Sequence, residues 1–190
     1  MEIIKCKRPS ILHIPQYGFK HFNKDGKLLW TNDKQIDNLF HDEGEMALLS
    51  AYFATTMTGY GAPPANLYLG LDARATLAEA DTLASLSGEP TTGTGYARIA
   101  LSTAGTGASG QDFYIHQPSA AYGAESKTVT FTNSSTTTAW GGVTKLFLCT
   151  SDAVGNDTGK KIICSLALST TRTLQPGDSM QTSINTYLGE

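Results

Sequence analysis

Beyond Pro64 the chain keeps one rhythm: short runs of β-forming residues, broken every few positions by Gly, Ser, Thr and Asn. That punctuation belongs to antiparallel sandwiches and barrels, because each break supplies turn chemistry and each run is too short for a stable helix. The runs fall at 66–71, 96–101, 112–116, 127–132, 144–149, 160–168 and 180–188. Within 127–132, Val129 and Phe131 alternate with threonines, which predicts a strand with one buried face. The runs at 144–149 and 160–168 predict a hairpin joined by the polar, outward-projecting loop 150–159. Residues 77–86 fit either a short helix or a structured loop. Only 16% of residues are charged, so the polar surface comes from Ser, Thr, Asn and Gly, a composition that favours strands and turns.

Upstream the pattern differs. Residues 1–31 mix basic residues, Pro9 and Pro15 with scattered Ile11, Leu12, Ile14, Tyr17, Phe19 and Phe22, and read as an arm. Asp25-Gly26 sits between Phe19/Phe22 and Leu28-Leu29-Trp30, a turn signal that predicts a small hairpin. Aromatics in such an arm need cover, from the body or from a neighbouring subunit. From Asn32 or Asp33, Ile36, Leu39, Phe40, Met46, Leu49 and Phe53 fall near one helical face. One interrupted helix or two short ones are predicted to end near Met57, with Pro63-Pro64 blocking any restart. The expected organisation is therefore an arm (1–31), a helical segment and linker (32–64) and a β body (65–190). Tyr17, Phe19, Phe22, Trp30, Leu39, Phe40 and Phe53 are the candidate interface residues.

The candidate chemistry is thin. Gly105-Thr106-Gly107-Ala108-Ser109-Gly110 matches the dinucleotide fingerprint, but an extended aromatic run, Phe113-Tyr114-Ile115-His116, follows where a helix N-terminus would have to hold the pyrophosphate. A surface loop is expected there, with no cofactor. His13, His21, His41 and His116 are too dispersed for a metal motif, and Asp152, Asn156 and Asp157 lack calcium-loop spacing. Asp72, Glu79, Asp81 and Glu89 have nothing to fix a catalytic separation, and no Gly-x-Ser-x-Gly elbow is present. No enzymatic activity is expected. Cys149 and Cys164 end apolar runs and read as small core residues, set well apart along the predicted ladder so that no disulfide joins them. Cys6 lies in a basic segment where an intermolecular disulfide is conceivable. A formal charge of −3 argues against nucleic acid or an anionic membrane as partner, and the absence of a long apolar run predicts a soluble protein made in a cytoplasm.

Several phrases of the β half carry a resemblance: Asn66-Leu67-Tyr68-Leu69-Gly70-Leu71, Gly88-Glu89-Pro90, Gly95-Tyr96-Ala97-Arg98, Lys127-Thr128-Val129-Thr130-Phe131, Trp140-Gly141-Gly142-Val143-Thr144, and 168–174 with Gly177-Asp178-Ser179. In this order they resemble tailed-phage virion proteins of the decoration, head-fibre and tail-fibre-like group. Residues 38–53, with Asp42-Glu43-Gly44-Glu45, resemble the segment before that group's β body. The resemblance implies a mainly β, antiparallel, jelly-roll-like β-sandwich on the outer surface of a phage head. It would act as a homotrimeric decoration (cement) protein bound to the major capsid protein, with the arm reaching over neighbouring subunits. The alternatives are a tail or head fibre or receptor-binding protein reading a host glycan through loops 103–110, 133–139 and 150–159, or a neck or collar component.

Overall fold

Two long strands organise the molecule. In the computed structural model, which describes residues 12–13, 19–31, 38–44, 46–47, 64–86, 88–116, 123–154 and 160–188, β10 (Trp140–Cys149) and β11 (Ile162–Leu174) pair antiparallel from Cys149↔Ile162 to Trp140↔Leu174. They form the centre of a five-stranded sheet, whose order is β4 (Asn38–Phe40), β11, β10, β5 (Asn66–Asp72) and β6 (Ile99–Ser102). A second sheet runs β3 (Leu28–Thr31), β2 (Lys20–Phe22), β12 (Ser179–Thr182) and β9 (Val129–Thr132). The third runs β1 (Leu12–His13), β13 (Asn185–Leu188), β8 (Gly123–Ser126) and β7 (Phe113–His116). Every pairing is antiparallel, and the fold is mainly β.

Strand periodicity explains why β10 and β11 are apolar on both faces. Leu146 and Leu148 point into the main core, where Leu69, Leu71 and Leu166 meet Phe19, Phe131 and Met180 from the second sheet. Their neighbours Phe147 and Cys149 point the other way, onto Ile162, Leu83 and Leu86. The long connection between β5 and β6, with short 3-10 turns at Leu83–Ser85 and Thr92–Thr94, covers that reverse face. A strand buried on both sides reads as a continuous apolar run, as 146–149 does. Gly70 lies directly opposite Phe147, and a Cβ on it would sit 2.3 Å from the ring's Cζ, so the missing side chain makes room for the phenyl group. Residues 77–86 therefore form a structured loop with one 3-10 turn.

Three expectations change. Asn38–Phe40, placed on a helix by its spacing, is strand β4, because the otherwise open edge of β11 offers backbone partners that outweigh the local pattern. Helical residues occur at 42–44 and 46–47, while residues 32–37, 45 and 48–63 of the helical segment and linker lie outside the described residues. Residues 19–31, assigned to the arm, contribute β2 and β3 to the second sheet, with β2 paired along β12. Cys149 and Cys164 are close in register rather than well apart, since Leu148 faces Cys164 and Cys149 faces Ile162. They are free thiols in different core clusters, so the alternation of the strand, not distance along it, separates them. Burial pushes the Cys164 thiol up to about 12.

Candidate interaction surface

The hairpin of β2 and β3 is built by Asn23. Its side-chain oxygen accepts from the backbone of Asp25 at 3.1 Å and of Lys27 at 2.8 Å, and its own backbone N–H donates to the Lys27 carbonyl at 2.9 Å. Gly26 closes the turn at φ +78°, a left-handed conformation that favours glycine. One side chain then fastens the hairpin to the body. His21, buried on β2, places Nε2 3.1 Å from Asp178 and Nδ1 3.2 Å from Arg172 Nη2. Because Arg172 offers only donors, Nδ1 accepts and Nε2–H donates to Asp178. Asp178 also accepts from the Gln175 backbone at 3.0 Å, which fixes the turn between β11 and β12. The Arg172 guanidinium lies 5.0 Å over the Trp30 ring.

This bracing leaves Leu28 and Leu29 on β3 at 47% and 49% exposure, the outermost strand of its sheet. Of the candidate interface residues, Phe19 is wholly buried in the main core and Trp30 is half-buried against it; Phe22 is likewise half-buried. Phe19 is covered by its own body because β2 pairs with β12 directly over the core. Leu39 and Phe40 belong to β4, opposite Ser165 and Cys164. Tyr17 and Phe53, like Cys6, lie outside the described residues. The structure thus brings Phe19 and Trp30 together and puts Leu28 and Leu29, not singled out by sequence, on the surface. Sequence alternation alone did not single them out, because a run such as Leu28-Leu29-Trp30 can equally be a strand buried on both faces, as 146–149 is.

A second exposed apolar pair, Tyr114 and Ile115 at 38% and 59%, lies on β7, the edge of the third sheet. The glycine-rich loop folds against this edge. The Ile115 N–H donates to the Gly107 carbonyl at 2.8 Å, and Gly107 and Gly110 take φ of +74° and +89°. Gly105–Gly110 is therefore an edge cover, leading into a strand.

Several other carboxylates brace the fold. Asp72 accepts from the backbone of Arg74 at 2.7 Å and of Gly88 at 3.0 Å, tying the start of the β5–β6 connection to its middle. The Ala78 N–H at 2.6 Å and the neighbouring Arg74 hold the Asp81 carboxyl below its usual range. Glu43 accepts from the Ile162 and Leu83 backbones and pairs with Lys161 at 3.2 Å. The deepest pair is Glu89 with Arg98, whose side chains are 5% and 0% exposed. Arg98 donates to both carboxylate oxygens, at 3.0 and 2.5 Å, and to the Ser151 carbonyl at 3.1 Å, and its guanidinium lies 5.3 Å over the Phe147 ring. Tyr96 completes the network: its hydroxyl accepts from the Leu71 N–H at 2.7 Å and donates to Glu89 at 2.9 Å. Burial, then the Glu89 charge, raises the Tyr96 phenol well above its ordinary value. The Tyr96 ring meets Trp140 edge-on at 5.4 Å, and the Trp140 indole donates to the Thr94 carbonyl at 3.2 Å. Among the described residues, no group of three His, Cys, Asp or Glu could hold a metal ion, and no helix is long and apolar enough to cross a membrane.

A family model described as Podophage GP4 fiber I protein gp80 matches residues 40–188. No curated protein and no solved structure matches the chain. With most of its length matched, the chain belongs to the Podophage GP4 fiber I protein gp80 family, a phage structural family whose region of match spans the β body described above.

Proposed function

We propose that this family member is a non-enzymatic fibre subunit of a tailed-phage virion, a braced β body that acts by fitting against its neighbours. The family match over residues 40–188 carries the proposal. The geometry supports it: three of the four carboxylates weighed as catalytic candidates, Asp72, Asp81 and Glu89, accept hydrogen bonds from the backbone, Arg74 and Arg98 and hold connections in place. Such groups fix shape, which a fibre subunit needs and which a turnover site would have to give up in part. Self-association, as a homotrimer in the fibre, is part of the reading, as is the lack of any cofactor, nucleic-acid or membrane partner.

Gold-labelled antibody against the chain, imaged on intact virions and combined with copy number from quantitative mass spectrometry, tests this. Label confined to fibres is expected. Label spread over the head, with one copy per capsid-lattice position, would replace the fibre by a decoration protein bound to the major capsid protein on the outer head surface. A ring of label at the portal would point to a neck or collar component.

A further inference from the structure

The β2–β3 hairpin combines two properties that free surfaces seldom combine. It is rigid, through Asn23 at its turn and through His21, Asp178, Arg172 and Trp30 at its base, yet it holds Leu28 and Leu29 about half exposed on the last strand of a sheet. Exposed edge strands are ordinarily blunted, because their unpaired backbone groups recruit other strands. The hairpin's charge is also opposite to that of the chain. Lys20, Lys24 and Lys27 are exposed against one exposed carboxylate, Asp25, giving residues 20–31 a charge of +2; a chain total of −3 leaves −5 for the rest. Two such hairpins pairing edge to edge would set lysines against lysines, so the charge disfavours self-pairing through β3 itself.

We propose that this hairpin docks an acidic protein partner in the virion, which adds a strand to the edge of β3 that is unpaired among the described residues, and covers Leu28 and Leu29 while its carboxylates meet the three lysines. The preformed turn lowers the ordering cost of association, and main-chain pairing gives affinity while the leucines and lysines give selectivity. The inference rests on the virion reading above but not on which part of the particle is contacted.

The test uses the full chain and phage particles assembled without it, with bound protein measured by co-sedimentation at two salt concentrations. Wild type is expected to bind, and more weakly as salt screens the lysines. Leu28→Ser/Leu29→Ser should bind roughly tenfold or more weakly, as half-buried leucines would predict. Lys24→Glu/Lys27→Glu should lose a similar factor and most of the salt dependence. Both pairs are exposed, and wild-type melting temperatures confirm that the variants fold. Binding by wild type with no loss in either variant overturns the hairpin proposal and leaves the virion reading standing. Failure of wild type to bind overturns both. A concentration-dependent oligomer abolished by the leucine variant, or equal binding to vesicles containing one-third phosphatidylglycerol, overturns the proposal in favour of self-association or a lipid surface.

Discussion

Removing one partner of the Glu89–Arg98 pair should cost far more than removing both. With Glu89→Leu, the Arg98 guanidinium stays in a site where its side chain is 0% exposed and loses its carboxylate, while contacts such as the Ser151 carbonyl, the Cys149 sulfur at 3.6 Å and the Phe147 face do not neutralise its charge. An uncompensated buried charge of this kind costs about 3–5 kcal/mol. Arg98→Met should cost a similar amount, since it leaves the Glu89 carboxylate with the Tyr96 hydroxyl as a remaining donor. Replacing both puts apolar groups of comparable size beside Phe147 and Tyr96, and the double variant is expected within about 2 kcal/mol of wild type. For a chain of this length each single change lowers the melting temperature by roughly 6–20 °C. Urea denaturation followed by tryptophan fluorescence, to which Trp140 on Tyr96 contributes along with Trp30, gives the four free energies of the cycle. Single variants within about 1 kcal/mol of wild type, or losses that simply add in the double variant, would refute the claim that this pair is a closed unit holding the β5–β6 connection to β10.

Two further perturbations test the packing around the five-stranded sheet. Burial holds the His41 imidazole below its ordinary 6.5, despite opposing backbone acceptors at Glu79, Ala78 and Asp81, so the unfolded chain binds more protons than the folded one below that value. Stability is then complete above about pH 6.5 and falls as pH drops towards the folded value, by up to about 1.4 kcal/mol per pH unit. His41→Gln, whose amide can still reach Ser165, should flatten the curve between pH 7 and 5, and an unchanged slope counts against the assignment. Gly70→Ala should destabilise by about 1–3 kcal/mol through collision with Phe147, and adding Phe147→Leu should recover part of that loss; an alanine tolerated without cost would mean that the ring has room to move.

Strands were legible where side chains alternate or run apolar between turn residues, as at Val129–Thr132 and along β10. They were not legible at Gly123–Ser126, where Gly123, Ala124, Glu125 and Ser126 have weak strand preference and β8 exists because β7 and β13 lie on either side of it. The run 180–188 looked like one strand, but it breaks at Ser183-Ile184 into β12 and β13, which serve different sheets. There the Ser126 hydroxyl accepts from the Ile184 N–H at 2.8 Å, a long-range bond that no local pattern announces. The surface was harder still. Phe19, Trp30 and Leu28 are all apolar neighbours of one turn, and only the pairing of β2 with β12 decides which is buried and which is not.

Several of the phrases that carried the resemblance coincide with the buried polar staples. Gly88-Glu89-Pro90 and Gly95-Tyr96-Ala97-Arg98 supply the Glu89–Arg98–Tyr96 network; 168–174 with Gly177-Asp178 supplies Arg172 and Asp178 around His21; Asp42-Glu43-Gly44 supplies the carboxylate that holds Ile162 and Leu83. Gly44 itself is confined, since a Cβ there would sit 2.2 Å from the Ile163 carbonyl oxygen. In a chain with so few charges, placing several of them inside means that they act by fixing which connection lies on which strand. Apolar side chains alone specify that poorly, because a leucine from one loop fills a core nearly as well as a leucine from another. The body can then keep its form with a Ser-, Thr- and Asn-rich exterior, and among the described residues the large apolar side chains exposed on that exterior are those at β3 and β7.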